Sequence, residues 1–227
     1  MKGFNFKEFE GVYGFNFLSN IDVDVHHTML NKFFELHPNK SNLVIFDVGT
    51  NAGSFVKVIN TLTSDNEIHC FEPHPRLQEL LKENYVNINL NEFCLSNYDG
   101  ECEIIIPSLS VGLSSIINRP VFEELFENGE QQKILYKVPC KTIDKYCEEN
   151  DISEIDYIKI DVEGAEMMVL EGAEKMLKTN KIKGGQFEHG QTLIDAGTSL
   201  NEVVDFLNGY GYNIYNLTPS DVLFMLE

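Results

Sequence analysis

Basic residues are scarce in this chain, which has 17 lysines and arginines against 36 acids and a formal net charge of -19 over 227 residues. So acidic a chain repels phosphate groups instead of releasing their counterions, and the sequence therefore predicts no nucleic acid partner. Cys-x-x-Cys pairs are absent, and the number of cysteines is odd. We therefore expect reduced thiols rather than a disulfide framework or a zinc site. The five cysteines are Cys70, Cys94, Cys102, Cys140 and Cys147.

Long apolar runs are also missing from the chain. No stretch approaches the ~20 residues of a membrane-spanning helix, and charges interrupt every apolar run near the start, so neither a membrane span nor a signal peptide is predicted. We expect a cytoplasmic protein. Since 43% of the residues are hydrophobic, the chain can bury one substantial core. We assign that core to one domain over residues 41–227, with a helical, aromatic-rich extension over residues 1–40 packed on it.

A strand of the buried type runs into a helix through a glycine-rich turn soon after residue 42. The turn glycines let a ligand approach the backbone, and the start of the helix offers free N–H groups to an anion. Glu72 stands at the end of the next strand, 25 residues after Asp47, where a carboxylate can accept both hydroxyls of a ribose. This spacing predicts a nucleoside-binding site. Its turn residues are Asp47, Gly49, Thr50, Asn51 and Gly53.

Asn51 indicates which nucleoside is bound. The dinucleotide fingerprint Gly-x-Gly-x-x-Gly has its second glycine at this position, so a pyrophosphate fits poorly and a nicotinamide-dependent oxidoreductase is the weaker interpretation. The polar turn better suits an amino-acid tail, with the carboxylate on backbone N–H groups and Asn51 and the ammonium on acidic or carbonyl oxygens. S-adenosylmethionine has such a tail.

From residue 42 onward, strand-like and helix-like segments alternate, which predicts a doubly wound α/β fold with a mostly parallel sheet. A third strand near residues 87–95 is expected to form a β-hairpin with residues 101–106. One amphipathic helix is expected over residues 165–177. Residues 211–217 and 221–226 are expected to form an antiparallel hairpin at one edge of the sheet.

Polar residues also follow two later strands. Lys159, Asp161 and Glu163 share one side of a strand that should be buried on both faces, where polar groups are costly unless they border a pocket. Glu188 and His189 end the next strand. In a doubly wound sheet, ligands bind beyond the carboxyl ends of the strands, so these acids and the earlier turn are expected to converge.

Four blocks of sequence resemble those of a known family. They are Asp47–Gly53, Phe71–Pro75, Gly112–Ser115 and Ile158–Glu166, the last followed by Leu170–Ala173. Over roughly residues 42–190 the chain resembles the FkbM-type S-adenosylmethionine-dependent methyltransferases, and its Ile-Lys-Ile-Asp-Val-Glu-Gly run is the most specific part. The resemblance implies a class I methyltransferase fold with a seven-stranded sheet and an antiparallel last strand. It also implies methyl transfer to hydroxyls of sugars, glycolipids or polyketide-type products.

The resemblance assigns roles to individual residues. Asp47, Gly49, Asn51 and Gly53 would hold the methionine end, and Glu72 the ribose. Leu95 and Ser96, after the third strand, would border the adenine, and Asp161 would face the sulfonium. Apart from these assignments, the Ser-rich loop over residues 107–120 is a candidate for contacting cofactor or acceptor, through Ser114 and Ser115. The family often has alanine at the positions of Thr50 and Cys94, and His189 is less usual.

Methyl transfer needs a base that removes the hydroxyl proton. His189 is the first choice, because imidazole titrates near working pH and Glu188 could orient it; Asp161 or Glu163 could serve instead. The same four side chains offer ligands for Mg²⁺ or Mn²⁺, yet their spacing fixes no coordination geometry, so a metal is possible but not predicted. His26 and His27 are expected on a solvated face.

Three functions remain open from the sequence. The first is an S-adenosylmethionine-dependent O-methyltransferase acting on a small-molecule or glycan acceptor. The second is a binding module that keeps the cofactor fold without catalysis, and the third is the oxidoreductase. The sequence does not indicate an oligomeric state.

Overall fold

A computed structural model of the chain describes residues 20–108, 111–127, 129 and 132–227. The aromatic residues predicted to pack from positions 4 to 17 lie outside the described residues. The strands are β1 (Val44–Val48), β2 (Glu67–Phe71), β3 (Asn89–Asn91), β4 (Cys94–Leu95), β5 (Gly100–Pro107), β6 (Lys133–Lys141), β7 (Tyr157–Ile160), β8 (Gly184–Glu188), β9 (Asn213–Asn216) and β10 (Asp221–Met225). The helices are α1 (Asn20–Leu36), α2 (Ser54–Leu62), α3 (Pro75–Asn84), α4 (Pro120–Glu127), α5 (Ile143–Glu149), α6 (Glu166–Glu171), α7 (Glu174–Lys178), α8 (Gln191–Asp195) and α9 (Leu200–Gly209).

The main sheet has seven strands in the order β3-β2-β1-β7-β8-β10-β9. Strands β3, β2, β1, β7 and β8 are parallel, and β10 runs antiparallel to both of its neighbours. The predicted doubly wound fold with a reversed last strand is confirmed. The chain leaves β1 toward β2 and later returns to β7 on the other side, so the crevice of the fold opens above β1 and β7.

A second, smaller sheet has the order β4-β6-β5. The predicted hairpin between residues 87–95 and 101–106 is wrong, because β3 pairs with β2 and β4 pairs with β6. Strand β5 forms its antiparallel ladder with β6 instead. The turn before β5 does reverse the chain direction as expected. A turn signal specifies that reversal but not whether a later strand inserts between the two segments.

The helix predicted over residues 165–177 is divided into α6 and α7. The side-chain oxygens of Asp144 accept hydrogen bonds from the backbone N–H groups of Lys175 (2.8 Å) and Met176 (3.0 Å), which gives α7 its own capped start. At the break, a Cβ atom on Gly172 would lie 2.0 Å from the carbonyl oxygen of Ser96. The glycine therefore allows the connection between the helices to pack against the chain after β4.

Helix α1 packs on α2 and β10 and contributes aromatic residues to the core. Phe33 is buried with its ring edge-on to Tyr157 at 4.9 Å. His26 is only 6% exposed and its ring lies edge-on to Phe55 at 5.3 Å, so the prediction of a solvated face was wrong for His26. His27 is half-buried. The division of the chain near residue 41 stays a prediction. Among the described residues, no helix is both long and apolar enough to cross a membrane.

Candidate active site

A cleft that encloses about 730 Å³, including space open to solvent, lies above the carboxyl ends of β1, β2 and β7. One wall is apolar and comes from β2, α3, β4 and β5; the other is polar and comes from the turns after β1 and β7. Eight of the residues predicted from the sequence line the cleft: Gly49, Asn51, Glu72, Leu95, Ser114, Ser115, Asp161 and Glu163. Of the side chains expected to converge at the carboxyl edge, Glu72, Asp161 and Glu163 line the cleft, whereas Asp47, Glu188 and His189 do not.

The turn after β1 passes very close to the end of β7. A Cβ atom on Gly49 would lie 1.8 Å from the backbone oxygen of Asp161, and the residue has a φ of 76°, so both space and conformation require glycine. Gly53 lies against Tyr85, whose ring a Cβ atom would approach to 2.6 Å, and it is outside the cleft wall. The side-chain oxygen of Asn51 is buried and has no partner within the described part of the chain.

The carboxylate of Glu72 is fixed at the end of β2. One oxygen accepts the backbone N–H of Asn51 at 2.7 Å, and the other accepts that of His74 at 2.8 Å. Glu72 is 5% exposed, and burial raises its pKa to about 7. A carboxylate oxygen has more than one lone pair, so these bonds orient the group and leave acceptor capacity toward the cleft.

Asp47 lies beneath the turn and is not part of the cleft wall. It is fully buried, with one oxygen 3.5 Å from Nζ of Lys159. Lys159 also lies 3.2 Å from Asp161 and donates to the carbonyl of Gly49 at 2.8 Å. Burial raises the pKa of Asp47. The pair thus supports the turn from below, and the predicted contact of Asp47 with a cofactor stays a prediction.

Two more predicted cofactor residues also lie outside the wall. Thr50 is buried and its hydroxyl donates to the carbonyl of Asp47 at 2.8 Å, which closes the turn. Ser96 is fully buried, and its backbone N–H donates to the carbonyl of Lys141 at 2.9 Å. The residue types in a turn therefore do not reveal which side chains face a ligand and which ones stabilise the backbone of the turn.

Three acids lie together near the polar end of the cleft, and two of them, Asp161 and Glu163, line its wall whereas Glu188 does not. Asp161, Glu163 and Glu188 each place a carboxylate oxygen within 4.8 Å of the others. Burial, with the nearby Asp161 as the next cause, raises the pKa of Glu163 to about 7 and that of Glu188 to about 9. We call these three residues the acid cluster. Such a group can hold a proton at neutral pH or offer hard oxygen ligands to a divalent cation.

Arg119 is a site residue that the sequence analysis missed. It is 3% exposed, and its guanidinium donates to Glu163 at 2.8 Å and to the carbonyl of Leu113 at 2.9 Å. Ser115 adds a hydrogen bond from its hydroxyl to the carbonyl of Glu163 at 2.8 Å. The loop before α4 is thereby tied to the acid cluster. The sequence feature that could have pointed to Arg119 is its rarity, since the chain has only two arginines.

His189 follows the acid cluster in sequence but is not part of that group within 4.8 Å. Its backbone N–H donates to the carbonyl of Ser220 at 2.8 Å. Its Nε2 atom is buried and has no hydrogen-bond partner among the residues that the structure describes. His189 as the base therefore stays a prediction.

A buried polar network that the sequence analysis also missed lies under α1. Nε2 of Gln186 is 3.2 Å from Nδ1 of His26 and donates to Asp221 at 2.9 Å. Gln186 is the register partner of Lys159 in the neighbouring strand. Burial, followed by the charge of Lys159, lowers the pKa of His26 to about 4. The helix before β1 thus contributes to the polar layer beneath the site.

Residues 47–214 match the methyltransferase FkbM domain family. The chain is similar to the 2-O-methyltransferase NoeI of Sinorhizobium fredii (strain NBRC 101917 / NGR234), with 27% identity over 184 residues that cover 75% of this chain and 73% of that protein.

Two solved structures of methyltransferases are also similar to the chain. One is precorrin-6y C5,15-methyltransferase of Geobacter metallireducens GS-15, with a TM-score of 0.48, 13% identity, and coverage of 90% of this chain and 88% of that chain. The other is a SAM-dependent methyltransferase of Aquifex aeolicus, with a TM-score of 0.46, 12% identity and coverage of 89% of each chain. Since the family match spans most of the sequence, the chain belongs to the FkbM methyltransferase domain family and is a methyltransferase.

Proposed function

We propose that this methyltransferase transfers a methyl group from S-adenosylmethionine to a hydroxyl of a sugar or a similarly polyhydroxylated acceptor. The observation that carries the proposal is the carboxylate of Glu72, which two backbone N–H groups fix in the cleft wall at the end of β2. At this place in a doubly wound sheet, a carboxylate accepts the two hydroxyls of a ribose.

The remaining cleft residues fit the other parts of that donor. The apolar wall suits the flat adenine ring and consists mainly of Phe71, Leu77, Leu95 and Ile104. The side-chain oxygen of Asn51, which has no partner among the described residues, can accept a hydrogen bond from an ammonium group. When bound, the donor supplies a methyl group that its sulfonium already activates. The protein must then align the acceptor, exclude water and receive a proton.

The acceptor class is supported by two observations. The similar protein from Sinorhizobium fredii is named a 2-O-methyltransferase. In addition, Asp161 and Glu163 of the acid cluster line the cleft, and their carboxylate oxygens can accept hydrogen bonds from neighbouring hydroxyls of one polyhydroxylated ring. An oxygen acceptor with more than one hydroxyl fits this arrangement.

We assign the role of base to Glu163, with His189 as the alternative. Glu163 lines the cleft and has its pKa raised to about 7, so it is partly ionised and can accept a proton at neutral pH. Its backbone also adopts a φ of 59°, a conformation that costs about 1 kcal/mol or more in a residue with a side chain. Arg119 and Ser115 hold it there. Such maintained strain supports a functional role.

The test is an assay for S-adenosylhomocysteine with a panel of sugars and glycosides as acceptors. We expect product formation that depends on a polyhydroxylated acceptor. Failure with every acceptor, combined with tight donor binding, would indicate a binding module instead. Saturable binding of NADH in the same cleft would contradict the assignment of the donor. Repeating the active reaction with a metal chelator determines whether the acid cluster works with a divalent cation.

A further inference from the structure

Three of the five cysteines converge on one face of the small sheet. The sulfur atoms of Cys94, Cys102 and Cys140 all lie within 4.8 Å of one another, and each residue is buried. Cys94 is the register partner of Cys140, and Cys102 is the partner of Val138, two residues before Cys140. Because alternate residues of a strand share a face, the pairing places all three thiols on the same side.

A disulfide would use only two of the three thiols. The sulfur atoms of Cys94 and Cys102 are 2.7 Å apart, and all three cysteines are free thiols. A bond between two of them would leave the third thiol without a bonding partner in the cluster, whereas one metal ion takes all three as ligands.

We propose that Cys94, Cys102 and Cys140 form a binding site for a thiophilic metal ion with a filled d shell, such as Zn²⁺ or Cu⁺. Thiolates are the ligands that select these ions. A metal–sulfur bond of about 2.3 Å sets the sulfur atoms about 3.8–4.0 Å apart. The three sulfur atoms already lie within 4.8 Å of one another, so this separation requires only that the thiols of Cys94 and Cys102 rotate apart from 2.7 Å.

The surroundings of the cluster favour a bound ion. The residues packed around the thiols are apolar, namely Ile104, Ile106, Ile116 and Val138. A buried thiolate is stable there only if it is paired.

The proposed ion has a place in the architecture of the enzyme. It would connect all three strands of the small sheet, two of which, β4 and β5, contribute Cys94 and Ile104 to the apolar wall of the cleft. Because a metal that binds the folded state stabilises it, the bound ion raises the thermal stability of the protein. Its function is to hold this wall in place, and it takes no part in methyl transfer.

The test titrates the fully reduced protein with Zn²⁺ and, without oxygen, with Cu⁺, each in competition with a chromophoric chelator. We expect one ion to bind per chain, and whichever of Zn²⁺ and Cu⁺ has the lower dissociation constant is the ion for which the site is suited. Replacing Cys94, Cys102 or Cys140 by serine should weaken binding at least tenfold. Cys70→Ser and Cys147→Ser are matched controls that should bind as the wild type does, because both thiols are buried in other clusters of the core.

A measurement on the wild-type protein guards against variants that fail to fold. Co²⁺ should produce a thiolate-to-metal charge-transfer band at one equivalent, and Zn²⁺ should abolish the band. The proposal is overturned if no ion binds at one equivalent, or if folded serine variants bind as tightly as the wild type. It is equally overturned if peptide mapping finds a disulfide within the cluster in freshly purified protein. None of these results depends on the methyl donor or acceptor.

Discussion

Two carboxylate sites border the same cleft, the buried Glu72 and the half-buried acid cluster, and their surroundings differ. Glu72 has each oxygen bound by a backbone N–H, so its position is fixed by the turn after β1 and by the start of α3. The acid cluster instead brings three carboxylates within 4.8 Å of one another, with Arg119 paired to Glu163. The first arrangement suits a ligand with invariant geometry, and the second suits a group whose charge changes during the reaction.

The largest expected effect comes from the acid cluster. Glu163→Gln keeps the shape of the side chain but removes its ability to accept a proton, so we expect kcat to fall by roughly 100-fold or more. The dissociation constant of S-adenosylmethionine should change little, because the donor is held mainly by the Glu72 side of the cleft.

His189→Gln is the matched comparison for that variant. It should retain most of the wild-type kcat, because Glu163 and not the imidazole accepts the proton in this account. The opposite ranking of the two variants in steady-state kinetics would move the role of base to His189.

The next effect concerns the fixed carboxylate. Glu72→Gln leaves one backbone N–H facing an amide donor and removes the charge that the ribose hydroxyls bind. We expect the donor affinity to fall by about 1.5–3 kcal/mol, the usual range for a hydrogen bond to a charged group. Calorimetric titration measures this change. At saturating donor, kcat should remain within a fewfold of wild type; a selective loss of kcat would mean that the two groups do not differ in role.

The pH dependence of donor binding further distinguishes the role of Glu72 from that of the acid cluster. Burial raises the pKa of Glu72 to about 7, so below pH 7 this carboxyl group is mostly protonated in the free protein. The proton must leave before the ribose can bind to a carboxylate. The dissociation constant of the donor should therefore rise as pH falls below about 7, approaching tenfold per pH unit. Titrations without acceptor measure this effect alone. The Glu72→Gln variant should show no such slope in the same window.

The smallest effect is on stability. The pKa of Glu188 is raised to about 9 from an unfolded value near 4.5, mainly by burial and then by Asp161 and Glu163. Between these values the folded state keeps a proton that the unfolded chain has lost, so rising pH destabilises the folded state. Glu188→Gln should raise the free energy of unfolding by about 1 kcal/mol at pH 9 and by less toward pH 5.

Denaturant unfolding at both pH values measures that change. Glu101→Gln, at an exposed position of β5, should stay within about 0.5 kcal/mol of wild type throughout. An equal gain in both variants would indicate general charge repulsion in a chain of net charge -19 rather than repulsion inside the acid cluster.

The sequence predicts the parts of this site that depend on local order. The turn after β1 and the acids that end β2, β7 and β8 follow from strand and turn patterns. The partners of Glu163 and Gln186 do not: Arg119 is 44 residues from Glu163, and His26 is 160 residues from Gln186. The predicted pairing of the small sheet was wrong for the same reason, namely that it depends on a distant part of the chain: β6 comes later in the sequence than β4 and β5, between which it lies. Contacts set by the tertiary fold leave no periodic pattern in the sequence.

The central claim is that the cleft beside Glu72 holds an adenosyl amino acid. Crystals of the protein soaked with S-adenosylhomocysteine test it most directly. We expect the ribose hydroxyls to lie at hydrogen-bond distance, about 2.5–3.0 Å, from the carboxylate oxygens of Glu72, with the amino-acid end over Gly49 and Asn51. An empty cleft, or a ligand bound elsewhere on the protein, would contradict the account.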